Sequence, residues 1–580
     1  MTVQSVRDAL PGAGAGASRG TPGPPVPPGP AAVTPVGMVR AARPSAVFAA
    51  NAQAAAVSSS GTVSSSGTGS AGAVAHPGAS PAPPRLRAPD LADLEAGEIH
   101  ETPGAVLYLS AERVYKRRKP VEAAFTDADR EAREALCAAE VTLNRRLAPD
   151  VYLGVADLHD DAGTLVDHLV VMRRMPASRQ LSTLVRRGHR VSPMLRAVAR
   201  ALAVFHQRCE SAPWIAALGE RGAQEELWRQ TLAGISAYRG NQLDAAVVDD
   251  IGMLARRYLA GRGELLAERT RAGWIRDGHG DLLAEDIFCL DDGPRILDCV
   301  EFDPRLRSGD VLGDVASLAM DLERLGAAEE AAEFLEAYRE FSGEVHPASL
   351  QHYYVAYRAC TQAMLACVHG HGDPDAPERA RRLLAVAHRH LRAGRVRLVV
   401  VGGMPGTGKT TLASRLAEVG DGWVLLRSDI LRQELVGEAP ADAPQATDGA
   451  DDNGFGVGRY APEITDATYA EMLRRARTAL CRGESVVLDA SWSSARHRDA
   501  VADLATDVCA DLIELHCVTA PEVAAARIAR RFAAGTDPSQ ATVAIAAAMA
   551  ARADPWPSAT IVRTAVTVAE ALKTVLNHLD

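Results

Sequence analysis

The sequence predicts a multidomain chain of combined α/β and α+β class. Three parts are expected: an amino-terminal tail without a core, a two-lobed α+β region, and a doubly wound parallel sheet. Three observations predict this. Residues 1–90 are Ala, Pro, Gly and Ser with almost no charge, as in PGPPVPPGPAA and VSSSGTVSSSGTGSAG, so they cannot fill a core and are expected to be disordered. Residues 91–392 carry short strand-like runs and then mostly helical ones. Residues 393–580 alternate strand-like and helical runs, the pattern of a parallel sheet wrapped by helices.

Composition narrows the functional classes. The 580 residues hold 63 basic and 73 acidic side chains, a net charge of −10. That balance argues against a protein that coats nucleic acid. The apolar fraction of 47% is enough for well-filled cores. Nine scattered cysteines with no C-x-x-C pair fit a reducing cytoplasm and exclude a disulfide scaffold or a zinc ribbon. No run of 18 apolar residues suggests a membrane span. The tail has some Arg and Ser and little acid, like a transit peptide, but offers no amphipathic Arg-bearing helix.

Only four of the 63 basic residues are lysine: Lys116, Lys119, Lys409 and Lys573. Where Arg so dominates, a surviving Lys marks a place that needs a slim, rotatable ammonium, or it survives by chance.

In the first region, strands are expected over AVLYLS and RVYKRR, then a helix from about Asp127 to Leu147. A further strand pair follows Val151, then helices such as PMLRAVARALAVFHQRC, interrupted by a hairpin near 275–300. In the second region, strands are expected over RLVVVGG, WVLLRSD, SVVLDAS, LIELHCV and TIVRTAV. The segment 436–458 looks like an inserted mobile loop.

Residues 403–410 (Gly403, Met404, Pro405, Gly406, Thr407, Gly408, Lys409, Thr410) match G-x-x-x-x-G-K-[ST] between an expected strand and an expected helix. Glycines let such a loop curl so that its N–H groups point at phosphate oxygens. Gly403, Gly406, Thr407, Gly408, Lys409, Thr410 and Thr411 are therefore the ATP-binding candidates. Lys409 would reach the β- and γ-phosphates, and the Thr410 hydroxyl would ligate Mg²⁺. Asp429 ends the next strand and could take a proton from an acceptor hydroxyl, or merely cap a helix. Arg432 could hold an anionic group of the acceptor. Asp489 ends SVVLDAS and could position the metal or its water. Arg527, Arg530 and Arg531 crowd one helix and could close as a lid, or form a solvated face.

This layout resembles the P-loop kinases that phosphorylate small-molecule and polynucleotide 5′-hydroxyls, such as gluconate kinase and the zeta-toxin and chloramphenicol phosphotransferase relatives. The resemblance covers roughly 395–580. It implies a P-loop NTPase domain of kinase type, with S-D-x-x-R at residues 428–432 favouring a kinase over a motor.

A second motif lies at 279–286: His279, Gly280, Asp281, Leu282, Leu283, Ala284, Glu285, Asp286. The expected hairpin after it, turning at Asp291-Asp292-Gly293-Pro294, makes Asp286 and Asp298 neighbours. Two close carboxylates need a cation, and phosphate-bound Mg²⁺ is the usual one. Asp281 then faces the same space and can act as a base. Downstream, Asp310 and Asp314 at i, i+4 could bind an acceptor or favour a helix start.

The motif resembles the H-G-D-x-x-x-x-N loop of the aminoglycoside phosphotransferase and choline kinase family. That resemblance implies a bilobal, protein-kinase-like fold, Asp281 as the catalytic residue and Asp298 as the metal-binding one. Asp286 stands where the family has Asn, which adds charge beside the metal. Lys116 on its strand corresponds to the phosphate-holding lysine and Glu140 to its ion-pair partner. Lys119, next to Pro120, is the weaker candidate. From 91 onward the whole resembles bacterial fused aminoglycoside-phosphotransferase-like and ATP-binding proteins.

The first reading is thus a bifunctional cytoplasmic enzyme in which each domain transfers the γ-phosphoryl of ATP to a small hydroxylated acceptor. A second has only the P-loop domain catalytic, with the first domain a sensing pseudokinase. A third is a non-enzymatic nucleotide sensor. A nucleic-acid acceptor stays open for the carboxyl-terminal domain alone.

Overall fold

The computed structural model describes residues 82–102, 104–119, 130–160, 162–370, 373–420, 422–437, 458, 461–534 and 541–579. Most of the tail expected over 1–90 and nearly all of the 436–458 loop lie outside them.

The first region opens with a six-stranded mixed sheet. Its strands are β1 (Arg85–Arg87), β2 (Glu98–Glu101), β3 (Ala105–Leu109), β4 (Arg113–Arg118), β5 (Tyr152–His159) and β6 (Leu165–Arg173). Their order is β1-β5-β6-β4-β3-β2, antiparallel except for β1 against β5. The chain therefore enters the sheet before residue 90, where Arg-Leu-Arg replaces the Pro/Ala run.

Strand periodicity sorts this sheet's side chains. Tyr108, Tyr115, Leu158, Leu169 and Val171 form one apolar cluster. Val155 and Val170 form another with Cys137 and Val141 of the helix Arg130–Asn144. Lys116 pairs in register with Val170, so it shares the face under that helix. The helix buries Cys137, Glu140, Val141 and Asn144, a 3–4 spacing that brings Glu140 over the same face.

Helices follow, from Leu181–Arg186 to Ala376–Ala393. Two short antiparallel pairings interrupt them. One joins β7 (Ile275–Asp277) to β10 (Ser308–Asp310); the other joins β8 (Ile287–Leu290) to β9 (Gly293–Ile296).

The last region is an all-parallel sheet of β11 (Arg397–Gly402), β12 (Val424–Arg427), β13 (Val486–Asp489), β14 (Asp511–Val518) and β15 (Thr560–Arg563). In the order β12-β13-β11-β14-β15 the connection from β11 runs one way, to β12, and that from its neighbour β13 runs the other, to β14, so the direction switches between these two strands. Ligands of such sheets bind outside the carboxyl ends of the strands at this point.

The two regions share a core. Leu398 and Val400 of β11 join the large cluster that includes Leu350, Tyr353 and Leu384 of the helical region. Val399 and Val401 face the other way, into a cluster with Leu412 and Val562. Polar contacts reinforce the seam. Ser349 Oγ donates to Gly483 O at 2.7 Å. Arg262, 1% exposed, donates to Gly261 O at 2.7 Å and Val508 O at 2.9 Å. Both carbonyls belong to helix carboxyl ends, whose partial negative charge suits a buried guanidinium.

A Cβ on Gly261 would lie 2.2 Å from Val508 O. Gly261→Ala should therefore force the seam apart and destabilise the chain by about 1–3 kcal/mol. Thermal unfolding checks this; an unchanged melting temperature would contradict so close a contact.

Among the described residues no helix is long and apolar enough to cross a membrane. All nine cysteines are unbridged.

Candidate functional sites

The first site lies between the mixed sheet and the helical region. A cavity of about 440 Å³ is lined by Lys116, Asp286 and Asp298, with Leu107, Met172 and Phe288 among its apolar walls. Lys116 Nζ donates to Glu140 Oε1 at 2.8 Å and to Asp298 Oδ1 at 3.1 Å. Burial works against the ammonium's charge, but Asp298 and Glu140 outweigh it and raise its pKa. Arg118, two residues along the strand, bridges Glu140 and Glu301. Glu140 is fully buried, yet Lys116 and Arg118 hold it ionised. Lys119 sits past the end of β4 and pairs with Glu101 at 2.7 Å.

The hairpin register sets the acidic side of the cavity. Ile287 pairs with Ile296, and Leu297 N donates to Asp286 O at 2.9 Å. Asp286 and Asp298 therefore flank the hairpin's open end. Asp298 takes a left-handed φ of 64°, uncommon outside glycine. Its N–H donates to Tyr152 Oη at 3.2 Å, and the next amide, Cys299 N, donates to Asn144 Oδ1 at 2.8 Å.

The loop carrying Asp281 is gripped from several elements. Asp314 accepts from His279 N at 2.6 Å and Gly280 N at 2.9 Å. Although buried, Asp314 is held ionised by His206 and Arg358. It lies on the helix Val311–Arg324, which Asp310 caps by accepting from Leu312 N. Asp310 also pairs with Arg269. Of the two roles open to this acidic pair, the structure shows the architectural one. Gly280 has φ 91°, and a Cβ there would meet Arg307 Cα at 2.8 Å, so the position needs glycine. His279 is buried, and burial pushes it down to about 4; its Nε2–H donates to Leu297 O at 3.1 Å.

From the helix Ala348–His369, Arg358 donates to Gly280 O at 2.7 Å and Gln362 Nε2 to Asp281 Oδ1 at 3.1 Å. Burial pushes Asp281 up to about 7, against Arg358 and with help from Asp298, Glu285 and Asp321. Sequence reasoning missed Arg118, Arg358 and Gln362. Arg118 was accessible through the period-two spacing from Lys116. Nothing local signals the other two.

The second site follows β11. Gly403, Gly406 and Gly408 have φ of 143°, 82° and 89°, which curls the loop ahead of the helix Lys409–Val419. A Cβ on Gly406 would lie 2.5 Å from Ala524 O. Thr407 Oγ1 donates to Met404 O at 2.8 Å, and Thr407 O accepts from the Thr564 hydroxyl. The loop borders a cavity of about 310 Å³ whose walls include Gly406, Gly408, Lys409, Thr410, Thr411 and the three arginines 527, 530 and 531.

Arg527 donates to Thr564 O at 2.8 Å and Arg531 to Ala541 O at 2.8 Å. Asp489, at the end of β13, is hydrogen-bonded by Thr410; burial raises its pKa while Lys409 opposes the shift. Arg427 Nε lies 3.5 Å from Asp489 Oδ2. Arg432 Nη1 donates to Asp429 Oδ1, one turn earlier on the same helix, at 3.1 Å.

Both sites offer an oxygen suited to a hard cation. Asp286 Oδ1 and Asp489 Oδ1 are buried and have no hydrogen-bond partner among the described residues. Also among those residues, no three His, Cys, Asp or Glu side chains converge on a metal. A cation here would take its other ligands from phosphate and water, as Mg²⁺ does at nucleotide sites.

The second site and the sheet beneath it define a P-loop ATP-binding region, and residues 398–556 match the AAA domain family. Over the longer span, the uncharacterized protein Rv2004c of Mycobacterium tuberculosis (strain H37Rv) is 39% identical across 461 residues, 79% of this chain and 90% of that protein. The uncharacterized protein Mb2027c of Mycobacterium bovis matches equally. The chain belongs to the family of these mycobacterial proteins. Among solved structures, a choline/ethanolamine kinase family protein from Mesorhizobium loti aligns at 18% identity over 51% of this chain and 91% of its own, with a TM-score of 0.33. A gluconokinase from Sinorhizobium meliloti aligns at 18% over 32% and 91%, with a TM-score of 0.23.

Proposed function

We propose that the chain is an ATP-dependent phosphotransferase with two nucleotide sites, one in a kinase-like domain over 91–392 and one in a P-loop domain over 393–580. One observation carries the reading. Two of the four lysines, Lys116 and Lys409, each line a separate cavity that also receives a buried carboxylate or the phosphate-binding loop.

In the first cavity Lys116, fixed by Glu140, would hold the phosphates of ATP. Asp286 and Asp298 would hold Mg²⁺, which supplies charge neutralisation at the phosphates. Asp281, oriented by Gln362, would accept the proton of the acceptor hydroxyl as its oxygen bonds to the γ-phosphorus and the bond to the ADP oxygen breaks.

In the second, Lys409 and the loop amides would bind phosphates, with Thr410 and Asp489 at the metal. Asp429 would orient the acceptor, with Arg432 beside it, and Arg527 and Arg531 would form the lid. The reaction class is transfer to an alcohol group of a small molecule in the cytoplasm.

One observation favours a pseudokinase as second reading: Asp286 crowds the first cavity with acid where the resembling family carries a neutral amide. Transfer of label from γ-labelled ATP in the Lys409→Ala chain separates the two readings. Residual transfer abolished by Asp281→Asn supports a catalytic first site. Its absence makes that site a sensor.

A further inference from the structure

We infer that a cavity at the junction of the two regions is a third ligand site, which takes a small non-nucleotide molecule carrying two or more phosphates. It stands apart from the two nucleotide sites proposed above.

The cavity measures about 650 Å³. Three stretches of chain bound it: one face of the helix Ala376–Ala393, the start of the helix Ala245–Gly261, and the lead-in to β11. Among the described residues its walls bring together five arginines, Arg381, Arg389, Arg392, Arg395 and Arg397, against one acid, Asp244. Asp244 is already in use, since its Oδ1 accepts from Ala246 N at 2.8 Å and Val247 N at 3.3 Å. A solvated helix end explains part of this. Arg392 lies in the last turn of its helix, where a cation suits the partial negative charge. That does not account for Arg381, about three turns earlier on the same face, or for Arg397, which opens β11.

The arginines have partners that orient them. Arg381 faces Glu378 at 3.5 Å, Arg395 faces Asp511 at 3.6 Å, and Arg389 pairs with Glu323. Arg397 Nη1 donates to Arg395 O at 3.3 Å. A guanidinium offers more N–H donors than one such partner uses, and its planar fork matches the paired oxygens of a phosphate. Several arginines call for several negative charges, and the cavity is of a size for a small molecule rather than a polymer. Among the described residues no Phe, Tyr or Trp lines it, so no such ring is there to stack a base. The class is therefore a phosphorylated sugar or polyol. β11 runs from Arg397 to Gly402, and the phosphate-binding loop follows at Gly403. The two ligands thus bind at opposite ends of one strand, roughly 20 Å apart, and do not compete for space. Arg395 shares Asp511 with Arg257 of the helical region, which holds it at 2.7 Å. A ligand on Arg395 sits at the seam and acts as an effector, not a substrate.

The test is calorimetric titration of the full chain with inorganic pyrophosphate, without Mg²⁺. It is done in a Lys116→Ala, Lys409→Ala background, which removes the lysines of the other two cavities. One pyrophosphate per chain should still bind. Arg395→Gln combined with Arg397→Gln should weaken it by about tenfold to a hundredfold, the worth of a charge-assisted hydrogen bond. Arg392 is exposed, so Arg392→Gln should weaken binding with no change in melting temperature, which separates lost binding from lost fold. No uptake in this background, or uptake indifferent to the arginine substitutions, overturns the inference. An ATP analogue as its Mg²⁺ complex, or a single-stranded oligonucleotide, bound there more tightly than pyrophosphate overturns the ligand class.

Discussion

Asp281→Asn should lower phosphoryl transfer from the first site by about 10²–10⁴-fold, the usual contribution of a positioned base. Binding of an ATP analogue should be unchanged. The substitution keeps the side chain's size and its place near Gln362 but removes its ability to accept a proton. The pH dependence carries a sign. Burial pushes Asp281 up to about 7, and only the deprotonated carboxylate can serve as base. Transfer should therefore rise with pH towards about 7, and a cation at Asp298 should move that rise to lower pH by opposing the negative charges nearby. Transfer unchanged in Asp281→Asn would remove this residue from the reaction.

Glu140→Ala should cost about 3–5 kcal/mol of stability, because it leaves Lys116 and Arg118 buried without their shared partner. Chemical denaturation measures this. The isosteric Glu140→Gln separates packing from charge: it fills the space but cannot neutralise two cations, so it should lose most of the same stability. It should also release Lys116 from its place and weaken the ATP analogue at the first site only. A Glu140→Gln chain as stable as its parent would mean that the network adds nothing to the fold.

How legible all this was depends on the range of the contacts. Residues 403–410 announce themselves, since strand, glycine-rich turn and helix are contiguous and the loop's geometry is local. The meeting of Lys116 with Glu140 was accessible too, because one lysine among many arginines marks the strand and a helix follows it. Asp286 and Asp298 could be paired because a short hairpin brings its own ends together.

Asp314 was harder. Its charge suggested a helix start or an acceptor, and only the packed structure shows it holding the amides of His279 and Gly280. Arg358 and Gln362 reach the same loop from 78 and 81 residues away, a separation that leaves no local pattern. Arg432 lies on the helix that follows its strand, where Asp429 one turn away is a local partner. The seam held by Arg262 and Gly261 was invisible for the same reason of distance along the chain: Val508 lies 246 residues from Arg262.

The most direct test of the account is the number of nucleotides bound per chain. Calorimetric titration of the whole chain with a non-hydrolysable ATP analogue and Mg²⁺ should give two sites, one lost in Lys116→Ala and the other in Lys409→Ala. A single site that disappears in Lys409→Ala and ignores Lys116→Ala would contradict it.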